Sequence, residues 1–107
     1  MSKTYNKLVR DKIVEIIKSN GENPKYRTLT DSEYLEELHK KLFEEANEFV
    51  EDDSPEEFAD LLEVLYSIAK VKNIDLNEVE KIRQQKHAKR GGFDKRIYLE
   101  NVEELKR

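Results

Sequence analysis

The residues in this sequence most able to do chemistry are two acidic runs, Glu44-Glu45-Ala46-Asn47-Glu48 and Glu57-Phe58-Ala59-Asp60. Side chains three residues apart on a helix lie on nearly the same face. If both runs are helical, Glu45 with Glu48 and Glu57 with Asp60 each make a two-oxygen jaw. Antiparallel packing of the two helices across a short turn at residues 52–54 would set the jaws opposite each other. Carboxylates that converge in this way repel unless a hard cation neutralises them. Mg²⁺ takes oxygen ligands in near-octahedral geometry and keeps several waters, so it suits such a place, with Mn²⁺ as the alternative.

Spacing alone does not single these acids out, because Glu33/Glu36, Glu48/Glu51, Asp60/Glu63, Asp75/Glu78 and Glu100/Glu103 repeat it. Position around the helix does. At about 100° per residue, Glu45 falls between Leu38 and Leu42 and beside Phe49, and Glu57 falls among Leu61, Val64 and Ile68. Glu48 and Asp60 lie at the edges of the same apolar arcs, whereas Glu33, Glu36, Glu51 and Glu63 occupy more polar faces. An unpaired buried carboxylate is costly and is ordinarily protonated or replaced. Two of them on the core faces of adjacent helices need either a metal ion or Lys and Arg partners from another helix, and the pattern admits both.

A fourth helix adds basic groups. Leu76 and Val79 define its core stripe, and the same stripe continues to Arg83, Lys86 and Arg90. A solvated charge run would not follow the core stripe. Arg and Lys directed at an acidic, metal-loaded site are suited to holding phosphates, whose oxygens Arg grips in pairs. The same side chains would also neutralise buried carboxylates, and the two roles are compatible. Gly91-Gly92 beyond them either caps the helix or lets backbone approach a ligand.

Four helices must position these groups. The first is expected over about residues 5–20, with Val9, Ile13, Ile16 and Ile17 at helical spacing and Gly21 just past its end. The second opens on a capping box, Thr30 with Glu33, and runs to about Glu51 with Leu35, Leu38, Leu42, Ala46 and Phe49 on one face. Ser54 as N-cap, Pro55 at the first helical position and Glu57 closing another capping box start the third, which runs to about Lys72. Phe58, Leu61, Leu62, Val64, Leu65 and Ile68 leave that helix apolar over most of its circumference, so it needs partners on several sides and is expected to form a subunit interface. Asp75 with Glu78 starts the fourth, from Leu76 to about Arg90. Phe93, Ile97, Tyr98, Leu99 and Val102 could dock the tail as a short strand, a turn or a helical end. The expected architecture is all-α, four helices with antiparallel neighbours across short loops, in one domain over residues 1–107.

Length and composition bound the rest. A chain of 107 residues is one domain at most, and it buries about two thirds of its unfolded surface. With 41% charged and 36% hydrophobic residues its core is thin, and a second copy would help to close it. Regularly spaced Leu, Ile, Val and Phe exclude a disordered chain. The C-terminal third clusters Lys81, Arg83, Lys86, Lys89, Arg90, Lys95 and Arg96, but a net charge of −4 and the lack of a recognition motif argue against a nucleic-acid partner. The absence of cysteine excludes disulfides and thiolate metal sites. With no apolar run long enough to span a membrane and no apolar signal region, a soluble cytoplasmic protein with no membrane partner is expected.

Glu44-Glu45-x-x-Glu48 followed by Glu57-x-x-Asp60 resembles the acidic motif of the MazG-like, all-α nucleoside triphosphate pyrophosphohydrolases. The flanks, Tyr5-Asn-Lys-Leu-Val-Arg-Asp-Lys-Ile13 and Lys86-x-x-x-Arg90-Gly-Gly-Phe93, resemble the phosphoribosyl-ATP pyrophosphohydrolase-like branch, so the resemblance covers about residues 5–99. Val14 stands where that branch usually reads Pro. The resemblance implies Mg²⁺-dependent hydrolysis of a nucleotide to its monophosphate and pyrophosphate, in nucleotide-pool house-cleaning. It implies Glu45, Glu48, Glu57 and Asp60 as metal ligands. It leaves Glu44 as an outer-shell ligand or an orienter of water, with Glu44 or Glu48 accepting the proton of the attacking water. Lys86 and Arg90, with Arg83, would hold phosphates, and Asn6, Lys7 and Arg10 are candidates for nucleotide recognition. It also implies a homodimer or homotetramer whose subunits build each site together.

Two rivals differ in class. A ferritin-like di-iron site needs Glu-x-x-His contributions from several helices, and Glu36-x-x-His39 is the sole match, since His87 has no acid three residues before it. A non-catalytic oligomerisation or regulatory module would use the same inward charges as buried salt bridges.

Overall fold

The structure is a computed structural model and describes residues 3–105. These form four helices and no strand: α1 Ile13–Ser19, α2 Asp31–Asp52, α3 Pro55–Val71 and α4 Leu76–Arg90. No helix among the described residues is long and apolar enough to cross a membrane. The chain divides into two compact units, Met1–Asn73 with α1 to α3 and Ile74–Arg107 with α4.

In the first unit, α2 and α3 pack together as a helical hairpin across the two-residue connection at residues 53–54. Each arm starts where the sequence places a cap. The Thr30 hydroxyl accepts the Glu33 N–H at 3.3 Å, and the Glu33 carboxylate accepts the Thr30 N–H at 3.2 Å, which completes the capping box. Arg27 donates to both Glu33 oxygens at 2.8 and 3.2 Å. That ion-pair hydrogen bond first, and the Thr30 bonds second, hold the Glu33 carboxyl down at about 2. The Ser54 hydroxyl accepts the Glu57 N–H at 3.2 Å, and Pro55 opens α3.

The reciprocal half of that second box is not made. The Glu57 carboxylate instead joins acids of α2 and α3, described below. In the second unit Asp75 caps α4 by accepting the Asn77 N–H at 2.9 Å.

The first helix is shorter than its apolar spacing predicts. Residues 5–12 lie outside it, and α1 begins at Ile13. Asn6 sits in the left-handed region at φ 44°, a conformation that cannot continue a right-handed helix and that Asn tolerates better than most residues. A turn, Ile13 N–H to the Arg10 carbonyl at 3.1 Å, then leads into α1. Its far end follows the sequence. Gly21 adopts φ 81°, its N–H reaches the Lys18 carbonyl and the Glu22 N–H reaches the Ile17 carbonyl, the two bonds of a Schellman ending.

The apolar core is thin. Among the described residues, Leu38 from α2 and Val64 and Ala69 from α3 are the buried apolar ones, and no large side chain is wholly enclosed. Phe49 and Phe58 meet edge to face, centroids 5.4 Å apart, and tie the arms together near the turn. Phe58, Leu65 and Tyr66 of α3 remain exposed. Beyond α4, residues 93–96 make a turn closed by the Arg96 N–H on the Phe93 carbonyl, and Phe93, Ile97, Tyr98 and Val102 stand in solvent.

Candidate metal centre

The hairpin turn folds the two acidic runs against each other. Glu45 from α2 and Glu57 and Asp60 from α3 each offer an oxygen, and these oxygens lie within 4.8 Å of one another. An octahedral cation with about 2.1 Å bonds holds its oxygens about 3 Å apart when cis and about 4.2 Å apart when trans, so the trio would have to draw closer to ligate one ion. Glu45 lies where its place in the apolar arc puts it, with 9% of its surface exposed. Glu57 and Asp60 are half-buried, whereas Glu48 is exposed at the rim.

Counter-charge is incomplete. Lys41 Nζ, one turn back on α2, is 3.7 Å from Glu45 Oε1. Arg10 Nη2 donates to Asp60 Oδ1 at 2.7 Å, and its Nη1 lies 3.6 Å from Glu63. Glu45 Oε2 and Glu57 Oε2 are shielded from solvent and accept no hydrogen bond. A buried acceptor with no partner carries its full desolvation cost. Burial first, then the charge of Glu48, push the Glu45 carboxyl above its ordinary value, with Asp60 adding to the push and Lys41 opposing it. Burial, then Glu48, Asp60 and Asp52, raise Glu57 as well. The three carboxyl groups form an all-oxygen donor set of the kind that a hard divalent ion takes.

Glu44, part-exposed and next to Glu45 on α2, falls outside the trio. Asn6 and Lys7 are exposed on the N-terminal arm. Arg83, Lys86 and Arg90 belong to α4, no residue of which is buried: Leu76 and Val79, read as its core stripe, are 45% and 44% exposed. Arg83 is held within its own helix by Glu80, at 2.6 and 2.9 Å. His39 of α2 and His87 of α4 join no such cluster among the described residues.

Two partners of the acids escaped the sequence reading. Lys41 stands at the i,i+4 spacing that pairs charges on one helix face, and that signal was available. The contact of Arg10 with Asp60 spans 50 positions and has no local signature.

Comparison with models of known protein families finds no match. Among curated proteins, an uncharacterized protein of Mycolicibacterium smegmatis is 51% identical over 41 residues, 38% of this chain. The chain spans 42% of that relative's length. No solved structure matches.

Proposed function

We propose that the chain is a divalent-cation-dependent pyrophosphohydrolase that converts a nucleoside triphosphate, or a phosphoribosyl-ATP-like nucleotide, to the monophosphate and pyrophosphate. The observation that carries this reading is the pair of solvent-shielded, unpartnered oxygens, Glu45 Oε2 and Glu57 Oε2, within one acid cluster drawn from two helices. The resemblance of both acidic runs and their flanks to the MazG-like enzymes supports the choice of substrate and bond.

Glu45, Glu57 and Asp60 would hold Mg²⁺ or Mn²⁺, with Glu48 at the rim. When bound, such an ion offsets phosphate charge and makes a coordinated water more acidic. The chain's own groups do the rest. Water adds to the α-phosphorus, the α–β bridging bond breaks, and pyrophosphate leaves with the bonding pair. Glu48, beside both Glu45 and Glu57, takes the water proton, and Glu44 is the alternative base. Arg83, Lys86 and Arg90 of α4 are the basic groups proposed to bind phosphate. The exposed Phe58, Leu65 and Tyr66 of α3 support assembly as a homodimer or homotetramer, which would cover apolar surface that the single chain leaves in water.

The test is a panel of ordinary and modified triphosphates with Mg²⁺, resolving the products. Monophosphate with pyrophosphate is the expected pair, and diphosphate with free phosphate would contradict the assignment of the bond. The competing reading, a non-catalytic helical module, draws on Lys41–Glu45 and Arg10–Asp60 as structural ion pairs. It leaves Glu57 without a counter-ion among the described residues.

A further inference from the structure

Arg10 lies on the N-terminal arm, outside any helix, yet its guanidinium is fixed to Asp60 of α3 at 2.7 Å. Asp60 is one of the three acids that offer an oxygen to a cation. Both partners are substantially open to water, 58% and 42% exposed, so the pair can part without disturbing the core. Glu63, one turn further along α3 and outside the trio, lies 3.6 Å from the same guanidinium. An arginine that gives up Asp60 therefore keeps an anchor at the rim of the site.

We propose, building on the metal reading above, that Arg10 is an exchangeable counter-ion. It neutralises Asp60 when the site is empty of metal, yields that carboxylate to the incoming divalent cation, and then offers its guanidinium to a phosphate oxygen of the anionic ligand. The charge logic has three parts. A cation taking Asp60 Oδ1 competes with Arg10 for the oxygen that Arg10 now holds. A pair exposed to this degree is worth little, so a divalent ion outcompetes it. A guanidinium released beside a loaded metal site is a bidentate receptor for phosphate.

The two halves predict opposite signs in one variant. In Arg10→Gln, calorimetric titration with Mn²⁺ alone is expected to show about two- to fivefold tighter binding than wild type. With Mn²⁺ saturating, inorganic pyrophosphate is expected to bind the same variant about tenfold more weakly. An arginine that merely braced the hairpin would weaken both, and far-UV circular dichroism reports whether the hairpin is intact. Mg²⁺ titration of the wild type supplies a second readout: the Arg10 Nε–H resonance, assigned by its loss in the variant, should move as metal binds. Unchanged or weaker Mn²⁺ binding in Arg10→Gln, or a resonance that stays put while metal binds, overturns the exchange. Unchanged pyrophosphate affinity overturns the role toward the anion. If the wild type binds no Mn²⁺ at all, the metal reading itself has failed and the exchange falls with it.

Discussion

Mg²⁺ or Mn²⁺ at a hundred times its dissociation constant is expected to raise the melting temperature of the wild-type chain by roughly 10–20 °C, and to leave Glu57→Gln almost unmoved. The size follows from mass action. A ligand that binds only the folded state at that excess adds about 2.7 kcal/mol, and each kcal/mol is worth about 4–8 °C in a domain of this size. The specificity follows from the site. Glu57 has no Lys or Arg partner among the described residues and keeps a shielded oxygen unbonded, so the proposed ion is what would neutralise it. Removing a ligand from a trio should cost at least about 100-fold in affinity, the upper end of what even outer-shell changes cost. Differential scanning fluorimetry against NaCl of matched ionic strength makes the measurement. Equal shifts with both salts, or equal shifts in both proteins, would mean that the ion pairs respond only through screening.

Glu45→Gln should produce two effects of opposite sign. Nucleotide turnover is expected to fall by at least about 100-fold, because the most buried ligand loses its charge. The metal-free protein should become more stable at neutral pH, by on the order of 1 kcal/mol, because an incompletely paired buried charge disappears. The pH dependence fixes the sign. Burial and the Glu48 charge raise the folded-state value of Glu45 above 4.5, and Glu57 behaves in the same way. A raised carboxyl contributes stability that is fully present below the unfolded value near 4.5 and is lost as pH climbs through the folded value. The metal-free wild type should therefore melt at progressively lower temperature from about pH 4.5 upward on account of these two groups. Glu45→Gln should flatten that slope, and saturating Mg²⁺, by keeping both carboxylates ionised, should abolish it above about pH 4.5. Glu33 does not confuse the window, since its lowered value places its own contribution below pH 4.5. A variant that melts lower than wild type at neutral pH without metal would show that Glu45 is a stabilising ion-pair partner of Lys41.

The helical frame was legible because its signals are local. Thr30 with Glu33, Ser54 with Pro55, and Gly21 lie beside the elements they start or end, and α4 runs over the residues its caps delimit. The burial of Glu45 was legible because a carboxylate between Leu38, Leu42 and Phe49 has few other places to point. What failed was non-local. The apolar spacing of residues 5–12 looked helical, but Asn6 in a left-handed turn and the reach of Arg10 to Asp60 take that arm elsewhere. The α4 stripe is a different case. Leu76 and Val79 define an amphipathic face by sequence, yet that face is not buried in the single chain, so its direction does not assign Arg83, Lys86 and Arg90 to the acids. Glu57 shows how two local rules compete. Its position three residues after Ser54 asks for a capping box, and the carboxylate joins the acid cluster instead.

Crystals grown with MnCl₂ and measured at the manganese absorption edge put the convergence of these acids to the most direct test. An anomalous peak within about 2.2 Å of oxygens from Glu45, Glu57 and Asp60 is the predicted result. A map without density there, in which Lys41 still sits against Glu45 and Arg10 against Asp60, would contradict the account.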